Sequence, residues 1–535
     1  MDYIVERRDL LVPHDIRERK GSFFTPQIWV ELSQIYLTYV LGENWQDEYY
    51  VWDCAAGTGN LLAGLTNKYN ILASTIDQQD VNIMKDRIKN GANLLEDHVF
   101  QFDFLNDDFT KLPKPLQAII NEPEKRNKFV VYITPPYAEH GNRSTISYHG
   151  EHKSNVSNTS IVYEKFNKIV GTATRELFIQ FFLKIYKELP ESLLASFSTV
   201  KFINSQNFSK FRQNFKAEYK KGFICNANTF DNVKSNFPIG FLIWDLKTKD
   251  EIKMIETDII EELDSYNSNH NLKKNFYSFC SKDFISNWLR KFYDKTAKAI
   301  GYIILPGVDM QQQNGVYFTL QPTKSDIEQH KTAIITQNNL KYMVIYLAVR
   351  QCITQDWKNN KDQYLYPDGK WETDLEFQNN CLTYSLFHGQ NKITNSDGTN
   401  HWIPFTETEV NSSEKFESNF MTKYIQGKLK QDVATTFFAS EKQRTIPLEL
   451  SKEASDVFGA GRQLWKYYQA QPNCNVNAAL QDIREYFQRR NGSGKMINKS
   501  TDEHYMNLIT DLRNKIKVLA KKIEPMVYSY GFLKL

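Results

Sequence analysis

An α/β fold of the Rossmann type, followed by a mostly helical C-terminal region, is what this sequence predicts. Three observations carry it. First, an apolar run ends at Asp53 and gives way to Cys54-Ala-Ala-Gly57-Thr-Gly59-Asn60, a strand meeting a glycine turn. Glycine suits that turn because it tolerates positive φ and lets a ligand come close to the backbone. Leu61, Leu62 and Leu65 follow as the start of a helix, whose first turn offers N–H groups to a ligand. Second, three later apolar segments also stop at polar or turn residues: Ile71 to Ile76 at Asp77, His98 to Phe102 at Asp103-Phe104, and Phe129 to Ile133 at Thr134-Pro135-Pro136-Tyr137. In open α/β sheets the ligand crevice lies at such carboxyl ends. Third, Asp77 follows the glycine turn by about 20 positions, where a dinucleotide-type fold places the acceptor for ribose hydroxyls.

The elements can be taken in order. Residues 1–20 are polar and charged and read as an arm. Gly21-Ser-Phe-Phe-Thr25-Pro26 then leads into a helical pattern (Ile28, Leu32, Ile35, Leu37, Val40), with Thr25 as the cap and Pro26 at the first helical position. The two prolines of Thr134–Tyr137 fix an extended backbone and remove two N–H donors. Carbonyls, the Thr134 hydroxyl and the Tyr137 ring remain, a stiff set of acceptors beside an aromatic face, suited to holding a planar amine. The segment 138–172, rich in Asn, Ser, His and Thr, is long for a plain loop and reads as a binding loop or lid. Its histidines (140, 149, 152) lack a clean metal spacing, and no carboxylate is placed to make Glu151-His-Lys153 a nuclease site.

Residues 175–189 follow as an amphipathic helix, then a strand from Leu193 to Val200. The stretch 201–221 has six Lys/Arg against Glu218, and Lys201, Lys210 and Arg212 are candidate phosphate contacts over a stripe of Phe residues. Phe237 to Trp244 closes this half as a buried strand. A linker is expected near 246, a mixed α+β region over 251–330, and helices from 331 onward. The 484–522 stretch has ten Lys/Arg against four acids. Its loop, Arg489-Arg490-Asn-Gly-Ser-Gly-Lys495, could lay amides and cations along phosphates, although the spacing of a P-loop is absent. The helix after it turns Leu508, Leu512, Ile516, Leu519 and Ile523 inward.

Composition sets bounds on function. The 535 residues are 41% hydrophobic and 24% charged, an ordinary globular profile with length for several domains. A net charge of +3 means that any binding of nucleic acid relies on local basic patches. Aromatic residues reach 14%, enough to serve both core packing and stacking on bases. Six scattered cysteines form no C-x-x-C pair, which supports neither a zinc site nor a disulfide framework and fits a reducing, cytoplasmic setting. No apolar run approaches the ~20 residues of a membrane span, and Met1 to Lys20 lacks the apolar core of a signal peptide.

The order FFTP, DCAAGTGN, an acidic strand end, Asp103-Phe104 and TPPY resembles the amino-methyltransferases of DNA. It is most similar to the N6-adenine group, in which the cofactor half precedes the catalytic motif and a target-recognition region follows. The motifs cover about residues 20–245, and 246–535 resembles the C-terminal part of a large bacterial family of N6-DNA methylases without a motif of known chemistry.

The resemblance implies an S-adenosylmethionine-dependent methyltransferase domain at 21–250, a linking region at 251–330 and a DNA target-recognition region at 331–535. It implies that Thr25 and Pro26 flank the methionine end of the cofactor and that Asp53, Gly57, Gly59 and Asn60 line it. Asp77 would take the ribose hydroxyls, and Asp103 with Phe104 the adenine. Tyr137 would stack on a flipped-out base, Thr134 and the Pro135 carbonyl would accept from its amino group, and Phe237, or alternatively Phe230, would supply a second aromatic. Lys201, Lys210, Arg212, Arg489, Arg490 and Lys495 become candidate DNA contacts. Double-stranded DNA is the implied partner, with a cognate restriction endonuclease or specificity subunit beside it. The short stretch ahead of the first motif leads to the expectation of a solitary methylase or the modification half of a two-gene system. Two positions depart from the family pattern: Cys54 stands where Pro is usual, and Thr134 where Asn, Asp or Ser is usual. Ser there is associated with N4-cytosine enzymes, so that base, or an inactive DNA-binding relative, is the alternative.

Overall fold

The computed structural model describes residues 25–137, 158–230, 233, 235–261, 272–329, 331–429 and 447–535. The chain divides into two compact units, Met1–Ser281 with Asp356–Lys361, and Lys282–Gln355 with Asp362–Leu535.

The first unit is built on one nine-stranded sheet: β1 (Tyr50–Asp53), β2 (Ile71–Thr75), β3 (Val99–Gln101), β4 (Phe129–Ile133), β5 (Leu193–Thr199), β6 (Glu218–Asn226), β7 (Pro238–Asp245), β8 (Met254–Ile259) and β9 (Leu272–Tyr277). The order is β3-β2-β1-β4-β5-β7-β6-β8-β9. Strands β1 to β5 run parallel, and β7 is antiparallel between β5 and β6. The fold is therefore Rossmann-like, and the strand order reverses between β1 and β4, the switch point at which such sheets bind ligands.

Side-chain alternation along the strands explains the layers. Phe129, Val131 and Ile133 of β4 and Trp52 of β1 enter one core. Val130, Tyr132 and Val51 enter the core on the opposite face. Helix α1 (Gln27–Leu41) covers the second face with Trp29, Val30, Tyr36 and Leu37. Helices α2 (Gln78–Lys89) and α3 (Ile161–Val170) follow in the chain, and α4 (Leu177–Glu188) covers the first face with Phe178, Phe182 and Ile185.

Several expectations are corrected. No α-helix follows the glycine turn: Asn60–Leu62 is one 3-10 turn. Ala63 leaves it in extended conformation, Gly64 adopts φ +89°, and Gln34 of α1 donates to the Ala63 carbonyl at 2.8 Å, a carbonyl that a continuing helix would use. The segment 138–172 is not one loop, because Ser160 caps α3 by accepting from the Tyr163 N–H at 2.9 Å. His140, His149, His152 and Glu151-His-Lys153 lie outside the described residues. The division of the chain falls after Ser281 rather than at 250, since β8 pairs with β6 and extends the same sheet to β9.

The second unit holds a three-stranded antiparallel sheet, β10 (Gly301–Ile304), β11 (Tyr317–Thr319) and β12 (Thr332–Ile335), in the order β11-β10-β12. Its helices include α5 (Leu340–Gln351), α6 (Leu375–Leu386), α7 (Lys452–Gln469), α8 (Leu480–Phe487) and α9 (Glu503–Ser529). One apolar core joins them. Ile509, Leu512, Leu519 and Ile523 of α9 are buried in it, as the helical spacing predicts.

Candidate active site

β4 ends one residue before Thr134, and the tetrapeptide leaves the sheet at the switch point. The Thr134 hydroxyl lies 2.8 Å from the Thr25 hydroxyl, 109 residues away in sequence. Thr25 is buried, and it caps nothing: Pro26 holds the N-cap position of α1 without a side-chain cap bond. This corrects the reading of Thr25 and Pro26 as a cap with proline at the first helical position. A hydroxyl has one proton and two lone pairs. When Thr134 donates to Thr25, both Thr134 lone pairs are left as acceptors. Pro135 is buried, and the half-buried Tyr137 ring packs against the core that α1 covers. Burial pushes the Tyr137 phenol well above its ordinary range.

Asp53 ends β1 beside this strand. It is 1% exposed, its Oδ1 accepts from the Ala55 N–H at 3.0 Å, and desolvation raises its carboxyl to about 7. Gly57 and Gly59 take φ of +52° and +84°, so the turn requires glycine at both. Among the described residues a Cβ at Gly57 would meet nothing within 4 Å, whereas one at Gly59 would press on the Met84 sulfur at 3.2 Å. Arg87 of α2 fastens the turn, donating from Nη1 to the Thr58 carbonyl at 2.7 Å and to Asn60 Oδ1 at 2.8 Å. The Asn60 carbonyl oxygen is thus already engaged. Sequence reasoning missed Arg87, whose only signal is a cation on the helix after β2.

At the end of β2, Asp77 caps α2 by accepting from the Gln79 N–H at 3.0 Å. Ile76 beside it is 62% exposed, an apolar side chain on the same strand end. After β3, Asp103 closes a turn: Oδ1 accepts from the Leu105 and Asn106 N–H groups at 3.1 and 3.2 Å, and Oδ2 from Asn106 Nδ2 at 2.8 Å. Phe104 is a core residue. Its ring stacks on Phe181 at 5.0 Å with the Lys184 ammonium 5.3 Å away, so only its main chain can meet a ligand.

Of the two candidate second aromatics, Phe230 is buried edge-on against Phe197, whereas Phe237 is half-buried on the same core as Tyr137.

The basic candidates divide. Lys210 is exposed, and Lys201 is paired with Glu176. Arg212 is corrected. It is 5% exposed and turned inward, with Nη1 donating to the Phe202 and Ser205 carbonyls and Nη2 to that of Phe279, at 2.7–3.0 Å. It closes three carbonyls rather than facing a phosphate. Arg212→Met is expected to lower unfolding free energy in urea titration by on the order of 3 kcal/mol, because buried acceptors lose their donors. A surface role would give a change near zero. In the second unit Arg489 and Lys495 are exposed, while Arg490 pairs with Glu485 and donates to the Gly494 carbonyl at 2.8 Å. The loop amides of Ser493 and Lys495 point to Asn491 Oδ1, at 3.2 and 2.9 Å. The expected row of outward amides is thus absent there, and the cations remain.

No family model matches this sequence. No curated protein matches it. Solved structures do match, 73 chains among them. They include the DrdV–DNA complex, at 16% identity and TM-score 0.34 over 47% of this chain and 28% of that one. The methyltransferase subunit of a type I restriction-modification system from Streptococcus thermophilus matches at 16% identity and TM-score 0.31 over 47% and 49%. A nuclease-deletion mutant of the Type ISP restriction-modification enzyme LlaGI, with a DNA substrate mimic, matches at 11% identity and TM-score 0.36 over 55% and 34%. The chain spans less than half the length of each. Among the described residues, no helix is long and apolar enough to cross a membrane.

Proposed function

We propose that this chain is an S-adenosylmethionine-dependent DNA methyltransferase that modifies the N6 amino group of adenine in double-stranded DNA. The observation that carries the reading is the Thr25–Thr134 contact at the switch point of the sheet. It joins the FFTP and TPPY stretches, which stand far apart in sequence, at the place where a doubly wound sheet holds its ligand.

The residues present fit the cofactor. Gly57 has no side chain and, among the described residues, no neighbour where its Cβ would stand, and Asp53 supplies a buried carboxyl for a cationic group. Thr25, Pro26, Asp53, Gly57, Gly59, Asp77, Asp103 and the Phe104 main chain would hold it, with Asn60 contributing only its amide nitrogen. When bound, the cofactor supplies a methyl group on a sulfonium, already strongly electrophilic. What the chain must do is act on the amine. The lone pair of an exocyclic amine is delocalised into its ring. Thr134 Oγ1 and the Pro135 carbonyl accept its two hydrogens, draw the lone pair back onto nitrogen and aim it. That is positioning and electrostatics, without a strong general base. Tyr137 and Phe237 supply aromatic faces for a base that has left the duplex stack. Thr134 is shorter than Asn by about one bond, and an N4-cytosine product is the second reading that this residue favours.

The test is mass spectrometry of nucleosides from the DNA of a methylation-free host expressing this chain. N6-methyladenine is expected. N4-methylcytosine moves the target and keeps the site. With neither base, a Thr134→Asn variant that restores product marks Thr134 as the fault, and one that does not marks a missing partner, such as a specificity subunit or cognate endonuclease.

A further inference from the structure

Lys184 of α4 is 9% exposed, and its ammonium lies among three phenyl rings, 5.8 Å from the centre of Phe102, 5.3 Å from Phe104 and 5.2 Å from Phe109. From there it donates to the Asp107 carbonyl at 2.5 Å. An ammonium is a costly filler for such a place, because burial favours its neutral form. Burial does pull its pKa down, against the opposing influence of Glu188, Cys54, Asp108 and Asp103 around it. A methionine of nearly the same length would fill the space between the rings without that cost. The charge therefore draws attention to what the ammonium holds.

It holds the turn that follows β3. Asp107 closes that turn at both ends: its N–H donates to the Asp103 carbonyl at 2.8 Å, and its Oδ2 accepts from the Asp103 N–H at 2.9 Å. Its Oδ1 accepts from the Lys111 ammonium at 2.5 Å. Lys184, on the carbonyl, ties the closed turn to α4. The N–H groups of Asp103, Leu105, Asn106 and Asp107 are thereby spent inside the turn, and that of Phe104 is not among them. A carboxylate has about four lone-pair sites. Asp103 gives those of Oδ1 to the Leu105 and Asn106 N–H groups and one of Oδ2 to Asn106 Nδ2, which leaves a site on Oδ2. A donor and an acceptor thus remain on adjacent residues. They complement the edge of an adenine ring, where the N1 acceptor stands beside the N6 amino donor.

We infer that Lys184 is the positioning residue of the cofactor's purine site, fixing the Asp103–Asp107 turn so that the Phe104 N–H and the Asp103 carboxylate meet one adenine edge together. The inference rests on the methyltransferase reading above and deepens it. Lys184 touches no part of the cofactor. It acts through the Asp107 carbonyl, from the core side of the turn, while the rings of Phe102, Phe104 and Phe109 hold the ammonium in place. Two hydrogen bonds to a rigid ring need both partners in register, and a tether on the main chain supplies that register.

The experiment titrates the full chain, by calorimetry, with S-adenosylhomocysteine and with its 1-deaza analogue, in which carbon replaces the N1 acceptor. Wild type is expected to prefer the first by about 30-fold, the effect of leaving one buried donor unpaired. In K184M the turn keeps its internal bonds and loses its tether, so the Phe104 N–H is no longer held in line. S-adenosylhomocysteine is then expected to bind about tenfold more weakly and the 1-deaza analogue within about twofold of wild type, so that the preference shrinks to about threefold. General loosening of the fold would weaken both ligands alike. Equal losses for the two, or a preference unchanged from wild type, overturn the inference and leave Lys184 a core residue. A wild type that binds both ligands equally well also overturns it, since the Phe104 N–H then meets no N1. A wild type that binds neither overturns the methyltransferase reading on which the inference rests. K184Q, uncharged and about one bond too short to reach the carbonyl, is judged by the same outcomes if K184M does not fold.

Discussion

Thr134→Ala is expected to reduce methyl transfer by at least about 100-fold while leaving cofactor affinity within about twofold of wild type. The hydroxyl removed is the side chain proposed to accept an amine hydrogen, and a misaligned nucleophile costs on the order of 100-fold per ångström of misplacement. Single-turnover kinetics with labelled cofactor, beside calorimetric titration of cofactor alone, separates the two quantities. An unchanged rate would remove Thr134 from the chemistry. The partner substitution sharpens the test. Thr25→Val removes the hydroxyl 2.8 Å from Thr134 but keeps the shape of the side chain. As a positioning residue it should lower kcat about tenfold and leave KM for DNA alone, since the proton of Thr134 loses the acceptor that turns it away from the amine.

Asp53→Ala is expected to weaken cofactor binding about 100-fold and to abolish a pH dependence that wild type shows. Desolvation holds this carboxyl near 7 in the folded chain, against about 3.9 when unfolded. A cationic ligand group binds the ionised form, so wild-type affinity should climb as pH rises from 6 through 7 and level off above 8. Below 7 the complex must release a proton, which titration in two buffers of different ionisation enthalpy detects. Pure packing by Asp53 would give affinities flat in pH. The linkage has an opposite face in the unligated chain. A raised acid stabilises most below its unfolded value, so the contribution of Asp53 falls as pH rises from about 4 to about 7. Cofactor should then protect against heat more strongly at pH 8 than at pH 6.

Much of the sheet was legible because buried parallel strands read as short continuous apolar runs. Phe129–Ile133 is one such run, and all five residues are buried. The glycine turn was legible for the same local reason, since positive φ writes itself as glycine. The helix expected after it is absent, because Leu61, Leu62 and Leu65 mimic a helical period without one. Gly64 and the extended Ala63 end the turn after three residues, and the bond from Gln34 that fixes this comes from another element. Arg212 shows the same limit for charge. A cation in a basic run and a cation closing three carbonyls are the same letter, and only the fold says which way it points. The contact on which the site reading rests, Thr25 with Thr134, links residues more than a hundred positions apart. No local pattern encodes it.

The segment Asp356–Lys361, which belongs to the first unit while its chain neighbours belong to the second, has a consequence for how the chain is made. The first unit does not hold all its own core residues by Ser281: Trp357 and the anchors Asn360 and Lys361 are translated some 80 residues later. At about 5–20 residues per second, a ribosome spends roughly 4–16 s making the intervening polypeptide. During that interval the sheet edge at Asn204 and Asn236 stands without its covering strap, and synthesis of the second unit is already under way. Completion of the nascent first unit is therefore timed by translation of the second, and pauses between codons 281 and 361 lengthen the life of the uncovered intermediate.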